Sequence, residues 1–270
     1  MNKNILILTA VVTLIGFNAM YSPGGGQRAL ATSAIDNPGE PFTLLWYGKC
    51  TGISGNMDIA SVTHTGSTGI YYGLRGNPAT GHYKLYSRNT SYLEASYATA
   101  EASDDIFDTV VGVFESSTNK ELWVNGAHVA TLSTSSTLST FADDLCLMNT
   151  CRSGGGTPGF QGTMASLAYC GRVLTDEEIV EYDNNKQDKD YVRQICARVP
   201  GTQFIFYPFT DMLVVEPGTA GGLGGKYVHE NGYPIKDLGE GQHNAIAVVI
   251  SGAGADTDGA FLTGTFDLQN

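Results

Sequence analysis

The chain reads as an all-β protein: an antiparallel two-sheet β-sandwich with one or two short helices after its last strand and a β-rich C-terminal extension. Three observations carry that expectation. Short apolar-alternating runs recur at close intervals between Phe42 and Val173, the pattern of strands with one buried face. Asn125-Gly126 separates two of them, and a type I′ hairpin turn, which needs φ > 0 at both central positions, favours that dipeptide. Finally, 34 glycines and only 16% charged residues in a chain of 270 suit many turns and short strands better than helices.

Taken in order, the first element is a signal-like hydrophobic segment over residues 1–21. Lys3 supplies a positive start and Ile5 to Phe17 an apolar run of export-signal length, short of the ~20 apolar residues of a membrane span. Ala19 and Ala29-Leu30-Ala31 are candidate cleavage positions, and a packed N-terminal strand is the alternative. A sandwich follows over 22–186. Its strands are expected at Phe42–Tyr47, Met57–Val62, Gly69–Leu74, His82–Tyr86, Ser91–Tyr97, Phe107–Phe114, Glu121–Val124, Ala127–Leu132, Leu145–Met148 and Met164–Val173. Trp46, Val111, Val113, Leu122 or Val124, and Leu167 are the expected core. Thr175 and Glu178 then have capping-box spacing, flanked by Leu174 and Ile179 at the staple positions. Tyr191, Val192, Ile195 and Cys196 mark a second helical face, ended by Pro200-Gly201. The helical link and β-rich extension occupy 187–270, with strands at Phe204–Tyr207, Met212–Val215 and Ala245–Ile250.

The order of Leu122–Gly126, Phe160–Leu167 and Arg172–Ile179 resembles the closing half of the laminin-G-like, concanavalin A-like jelly-roll family. Phe42–Tyr47 is similar to that family's early Trp-bearing core strand. The resemblance covers roughly residues 31–186. It implies the sandwich with some force and function only weakly, because one fold hosts many sites.

Chemistry is mostly excluded. A net charge of −12 with 15 scattered Lys and Arg argues against nucleic acid as a partner. No strand carries acids at alternate positions, as a retaining glycosidase on this fold requires; Asp104, Asp105 and Asp108 fall at a turn, and Asp176, Glu177 and Glu178 suit a helix N-terminus. No Gly-x-Ser-x-Gly elbow or complete phosphate loop occurs, and the five histidines are isolated in sequence. An enzyme is not expected.

Binding remains. Tyr71, Tyr72, Tyr83 and Tyr86 are candidate glycan-stacking residues on a tyrosine-rich face, although tyrosine also simply suits half-buried strands. Asp143, Asp144 and Asn149 are candidate calcium ligands, since calcium takes six to eight oxygens from such loops. Of five cysteines, Cys146 with Cys151 and Cys170 with Cys196 are candidate disulfides, which export would permit. The expected function is a non-catalytic extracellular recognition or adhesion module for a glycan or cell-surface protein. The alternative is a structural or decoration protein of a virion or extracellular filament, with the jelly roll exposed and the termini driving self-assembly.

Overall fold

The computed structural model describes residues 34–50, 55–64, 66–67, 69–98, 106–147 and 160–208, together with the backbone of short strands at either end. In chain order the strands are β1 (Met20–Pro23), β2 (Arg28–Ala31), β3 (Phe42–Cys50), β4 (Met57–Thr63), β5 (Tyr71–Asn77), β6 (His82–Arg88), β7 (Tyr92–Ala98), β8 (Asp108–Phe114) and β9 (Lys120–Val124). They continue as β10 (Ala127–Leu132), β11 (Asp144–Leu147), β12 (Gln161–Cys170), β13 (Phe204–Pro208), β14 (Tyr233–Ile235), β15 (Ala245–Ala247), β16 (Ala255–Asp256), β17 (Gly259–Phe261) and β18 (Thr265–Leu268). Two helices, α1 (Asp176–Asn185) and α2 (Lys189–Ala197), lie between β12 and β13. The expected strand at Met212–Val215 falls outside the described residues.

Sheet I runs β10-β9-β8-β3-β12-β1-β17-β16, with β13 on the second half of β12; sheet II runs β18-β2-β11-β4-β5-β6-β7. Pairing is antiparallel except where β17 meets β1 and β18 meets β2. The β9–β10 hairpin turns on Asn125 at φ 49° and Gly126 at φ 73°, the left-handed pair that the dipeptide predicts.

Alternation sorts the apolar residues into two layers. Leu44, Trp46, Val110, Leu122, Val124, Leu167 and Tyr169 face sheet II and join Tyr72, Leu74, Tyr83, Leu85, Leu145 and Leu147 there. Leu45, Val111, Val113, Trp123, Ala168 and Cys170 face the other way, under Ile179 and Tyr182 of α1 and Val192 and Ile195 of α2. This explains why β3 and β8 are apolar runs without clean alternation: both of their faces are covered. All the expected core residues are buried, but Val111 and Val113 fill the layer beneath the helices. The sheets approach closely at Gly112 and Gly76, where an added Cβ would stand 2.8 Å from Leu74 Cδ2 and 2.5 Å from Cys50 Sγ.

Helix α1 begins as its sequence prescribes. The Glu178 N–H donates to Thr175 Oγ1 at 3.3 Å, and the Thr175 N–H donates to Glu178 Oε2 at 3.0 Å. Arg172, just past β12, grips the same carboxylate with Nη1 and Nη2 at 2.7 and 2.8 Å and donates to the Ile195 carbonyl of α2. Cys170 and Cys196 are joined by a disulfide with Cα atoms 5.3 Å apart, so β12 holds α2 covalently as well. Cys146 is disulfide-bonded too; Cys151 lies outside the described residues, and Cys50 is a buried free thiol. No helix among the described residues is long and apolar enough to cross a membrane.

The Glu178 site gives a pH prediction. Burial alone would raise its pKa, but hydrogen bonds from Arg172 and Thr175, then the charges of Arg172 and Arg198, hold it below the usual value. A depressed acid contributes stability above its unfolded pKa of ~4.3 and loses it as pH falls through the folded value. Melting temperatures of the wild type should therefore drop more steeply below pH ~4.3 than those of Glu178→Gln. Parallel curves for the two proteins would refute the assignment.

Candidate binding site

The outward face of sheet II carries a connected set of polar and aromatic side chains. On β5 the residues that point away from the core are Tyr71, Gly73 and Arg75; on β6, Lys84, Tyr86 and Arg88; on β7, Tyr92 and Glu94. Register aligns them in rows: Tyr71 beside Arg88 beside Tyr92, Gly73 beside Tyr86 beside Glu94, and Asp58 beside Arg75 beside Lys84. Gly73 makes room for its neighbour, since a Cβ there would lie 2.8 Å from Tyr86 Oη.

Arg75 organises the centre. Its Nε and Nη2 both reach Asp58 Oδ1 at 2.6 Å, and its Nη1 donates to Tyr92 Oη at 2.8 Å. Its guanidinium lies 4.6 Å from the Tyr86 ring centroid and 5.7 Å from that of Tyr92, within cation–π range. Tyr92 in turn donates to Glu94 Oε2 at 2.8 Å, and Lys84 pairs with Glu94 Oε1 at 3.0 Å. Burial works to raise the Glu94 pKa, but the bonds from Lys84 and Tyr92 bring it below its ordinary range. Burial, foremost, pushes the phenols of Tyr86 and Tyr92 up, so both stay protonated near neutral pH.

Arg88 is different. Its Nη1 donates to Tyr71 Oη at 3.2 Å and its guanidinium lies 5.7 Å from the Tyr71 ring. No carboxylate among the described residues pairs with it, and its Nε, shielded from solvent, has no acceptor. The half-buried Arg88 is thus a cation on this face with donors uncommitted, beside the 38% exposed ring of Tyr92.

The tyrosine expectation needs correction. Tyr71, Tyr72, Tyr83 and Tyr86 have 4, 1, 0 and 0% of their surface exposed, which leaves no ring face on which a sugar could stack. Tyr72 and Tyr83 point into the core, where Tyr72 donates to the Thr137 carbonyl at 2.9 Å and Tyr83 to Asp108 Oδ2 at 2.6 Å. Tyr71 and Tyr86 do face outward but pack against each other and Tyr92, with centroids 5.6 to 6.5 Å apart. Arg88 is what the sequence reading passed over, whereas Tyr92 belongs to the tyrosine-rich run of the middle strands. The signal was present: Arg75, Lys84, Arg88 and Glu94 share the outward parity, and Tyr92 shares it with them.

At the rim, Asp143 and Asp144 come together with His64, each offering a ligand atom, all within 4.8 Å of one another. Asn149 lies outside the described residues. His64 Nδ1 is 3.5 Å from Asp143 Oδ1. Two carboxylates fit the oxygen chemistry of calcium, whereas an imidazole is a donor of borderline metals such as zinc.

A profile of the Concanavalin A-like lectin/glucanases superfamily, laminin-G type, matches residues 23–180. The chain belongs to this superfamily. Among solved structures, the CBM40 domain of the Ruminococcus gnavus IT-sialidase bound to α2,3-sialyllactose is 18% identical, with a TM-score of 0.53 over 62% of this chain and 96% of that one. The same domain with α2,6-sialyllactose gives 18% and 0.52, over 61% and 95%. These similarities concern the fold. No curated protein matches the chain by sequence. The concanavalin A-like match covers β2 to β12 and ends inside α1.

Proposed function

We propose that this concanavalin A-like chain is a non-catalytic glycan-recognition module that takes a carboxylate-bearing sugar on the outward face of sheet II. The observation that carries the reading is the half-buried Arg88, whose guanidinium has no carboxylate partner among the described residues. Guanidinium and carboxylate match in planar geometry and can form two parallel hydrogen bonds. Tyr92 offers an exposed apolar edge beside it, while Lys84 and Glu94 supply polar groups for hydroxyls. The R. gnavus CBM40 structures hold sialyllactose, a carboxylated glycan, which supports the class of ligand. The acids of this face are committed to neighbours of their own: Asp58 pairs with Arg75, and Glu94 pairs with Lys84 and accepts from Tyr92.

Export belongs to the same proposal. Ala29-Leu30-Ala31 lies in β2, paired with β11 and β18, so processing after Ala31 would strip β1 and β2 from the sheets. Processing ahead of β1 keeps both.

Replacing Arg88 with Gln should weaken binding of α2,3-sialyllactose by about 10- to 100-fold, as a hydrogen bond to a charged group contributes ~1.5–3 kcal/mol. The melting temperature should barely move, because Arg88 holds no buried ion pair. Unchanged affinity in Arg88→Gln would reject the site.

A further inference from the structure

We propose a second site, independent of the Arg88 reading: His64, Asp143 and Asp144 bind a divalent cation of the zinc class at the rim of sheet II. Strand pairing builds it. Asp144 stands opposite Thr63 in the antiparallel β4–β11 ladder, so His64, the next residue along, faces Asp143, the residue before β11. Backbone contacts fix both sides. The His64 N–H donates to the Ile70 carbonyl at 3.2 Å, the Ser67 N–H to the His64 carbonyl at 3.0 Å, and the Ile35 N–H to the Asp143 carbonyl at 2.9 Å. Gly66 leaves room for the ring, since a Cβ there would stand only 3.1 Å from His64 Nε2.

The second observation is the other ring nitrogen. His64 Nδ1 is shielded from solvent, has no hydrogen-bond partner, and stands 3.5 Å from Asp143 Oδ1. A shielded polar atom without a partner is uncommon, and this one stands beside the Asp143 carboxylate. Ligands of a tetrahedral zinc ion with bonds of ~2.0–2.1 Å stand roughly 3.4 Å apart. The His64–Asp143 separation already matches, and the full set lies within 4.8 Å, a contraction that side-chain rotation can supply. His64 and Asp143 are partly exposed, giving an entry path, while Asp144 is buried; water would complete the coordination. The imidazole selects against calcium and magnesium, which take oxygen ligands. A bound ion would clamp the β4–β5 turn to the segment before β11, beside the 65% exposed ring of Phe141, whose centroid is 6.2 Å from that of His64.

The test uses the intact chain, stripped with chelator and titrated with zinc alone, with cobalt as an absorbing substitute and calcium as a control. Expected is saturable one-to-one zinc uptake, a visible cobalt spectrum of mixed nitrogen and oxygen ligation, and a zinc-dependent rise in melting temperature. His64→Ala and Asp143→Asn, both at partly exposed positions, should each weaken zinc by more than the roughly 10- to 100-fold that follows loss of a group merely orienting a ligand, and shrink the thermal shift. Zinc uptake unchanged in these variants, no saturable uptake, or calcium binding as tight as zinc would each overturn the proposal.

Discussion

A chain truncated after Pro200 should fail to form the sandwich. The cut removes β13, whose Phe204, Ile205, Phe206 and Tyr207 are all buried. Ile205 and Tyr207 complete the layer between the sheets, and Phe204 and Phe206 the layer beneath the helices. Burying such a side chain contributes about 1.5–3 kcal/mol, so four contribute about 6–12, against a net stability of about 5–15 kcal/mol for a typical domain. The cut also bares the Ser166–Cys170 stretch of β12, which β13 pairs, and an open apolar edge invites association. The expected product is insoluble or lacks a cooperative thermal transition. A soluble monomer melting like the intact chain would show that β13 is dispensable.

Asp58→Ala should be the most damaging single substitution on the outward face of sheet II. Asp58 and Arg75 are both buried, and removing one member of a buried ion pair strands the other charge, at a cost of about 3–5 kcal/mol. The variant should also loosen Tyr92, because Arg75 holds its hydroxyl. Replacing both partners with apolar residues of similar volume, Asp58→Leu with Arg75→Met, should recover much of the loss, since a matched apolar pair avoids the desolvation penalty. Denaturant midpoints of the single and double variants measure this directly. A loss below ~0.5 kcal/mol in Asp58→Ala, the scale of an ordinary surface change, would mean that the pair does not hold the face together.

These two sites also mark what the sequence discloses. Local signals were legible: Asn125-Gly126 names its turn, Thr175 and Glu178 their cap, and Phe204–Tyr207 a strand. Each depends on residues a few positions apart. Which strand β13 joins was not legible, because β12 lies beyond two helices and pairing is non-local. The tyrosine face failed for a related reason. Tyr71 and Tyr72 are adjacent, so one must point inward, and composition alone does not say which. The charged residues of the same strands decide it, as Arg75, Lys84 and Arg88 would be costly to bury against the opposing sheet. His64 looked isolated because its partners Asp143 and Asp144 arrive only through the β4–β11 ladder. Asp143 and Asp144 were visible as an acidic pair; the imidazole that changes their metal chemistry was not.

The most direct test of the account is a calorimetric titration of the intact chain with α2,3-sialyllactose and with the same glycan after reduction of its carboxyl group to an alcohol. If Arg88 receives the carboxylate, the acid form binds saturably and the reduced form binds about 10- to 100-fold more weakly, the equivalent of ~1.5–3 kcal/mol. Equal affinity for the two forms, or no binding of the acid form, would contradict the assignment.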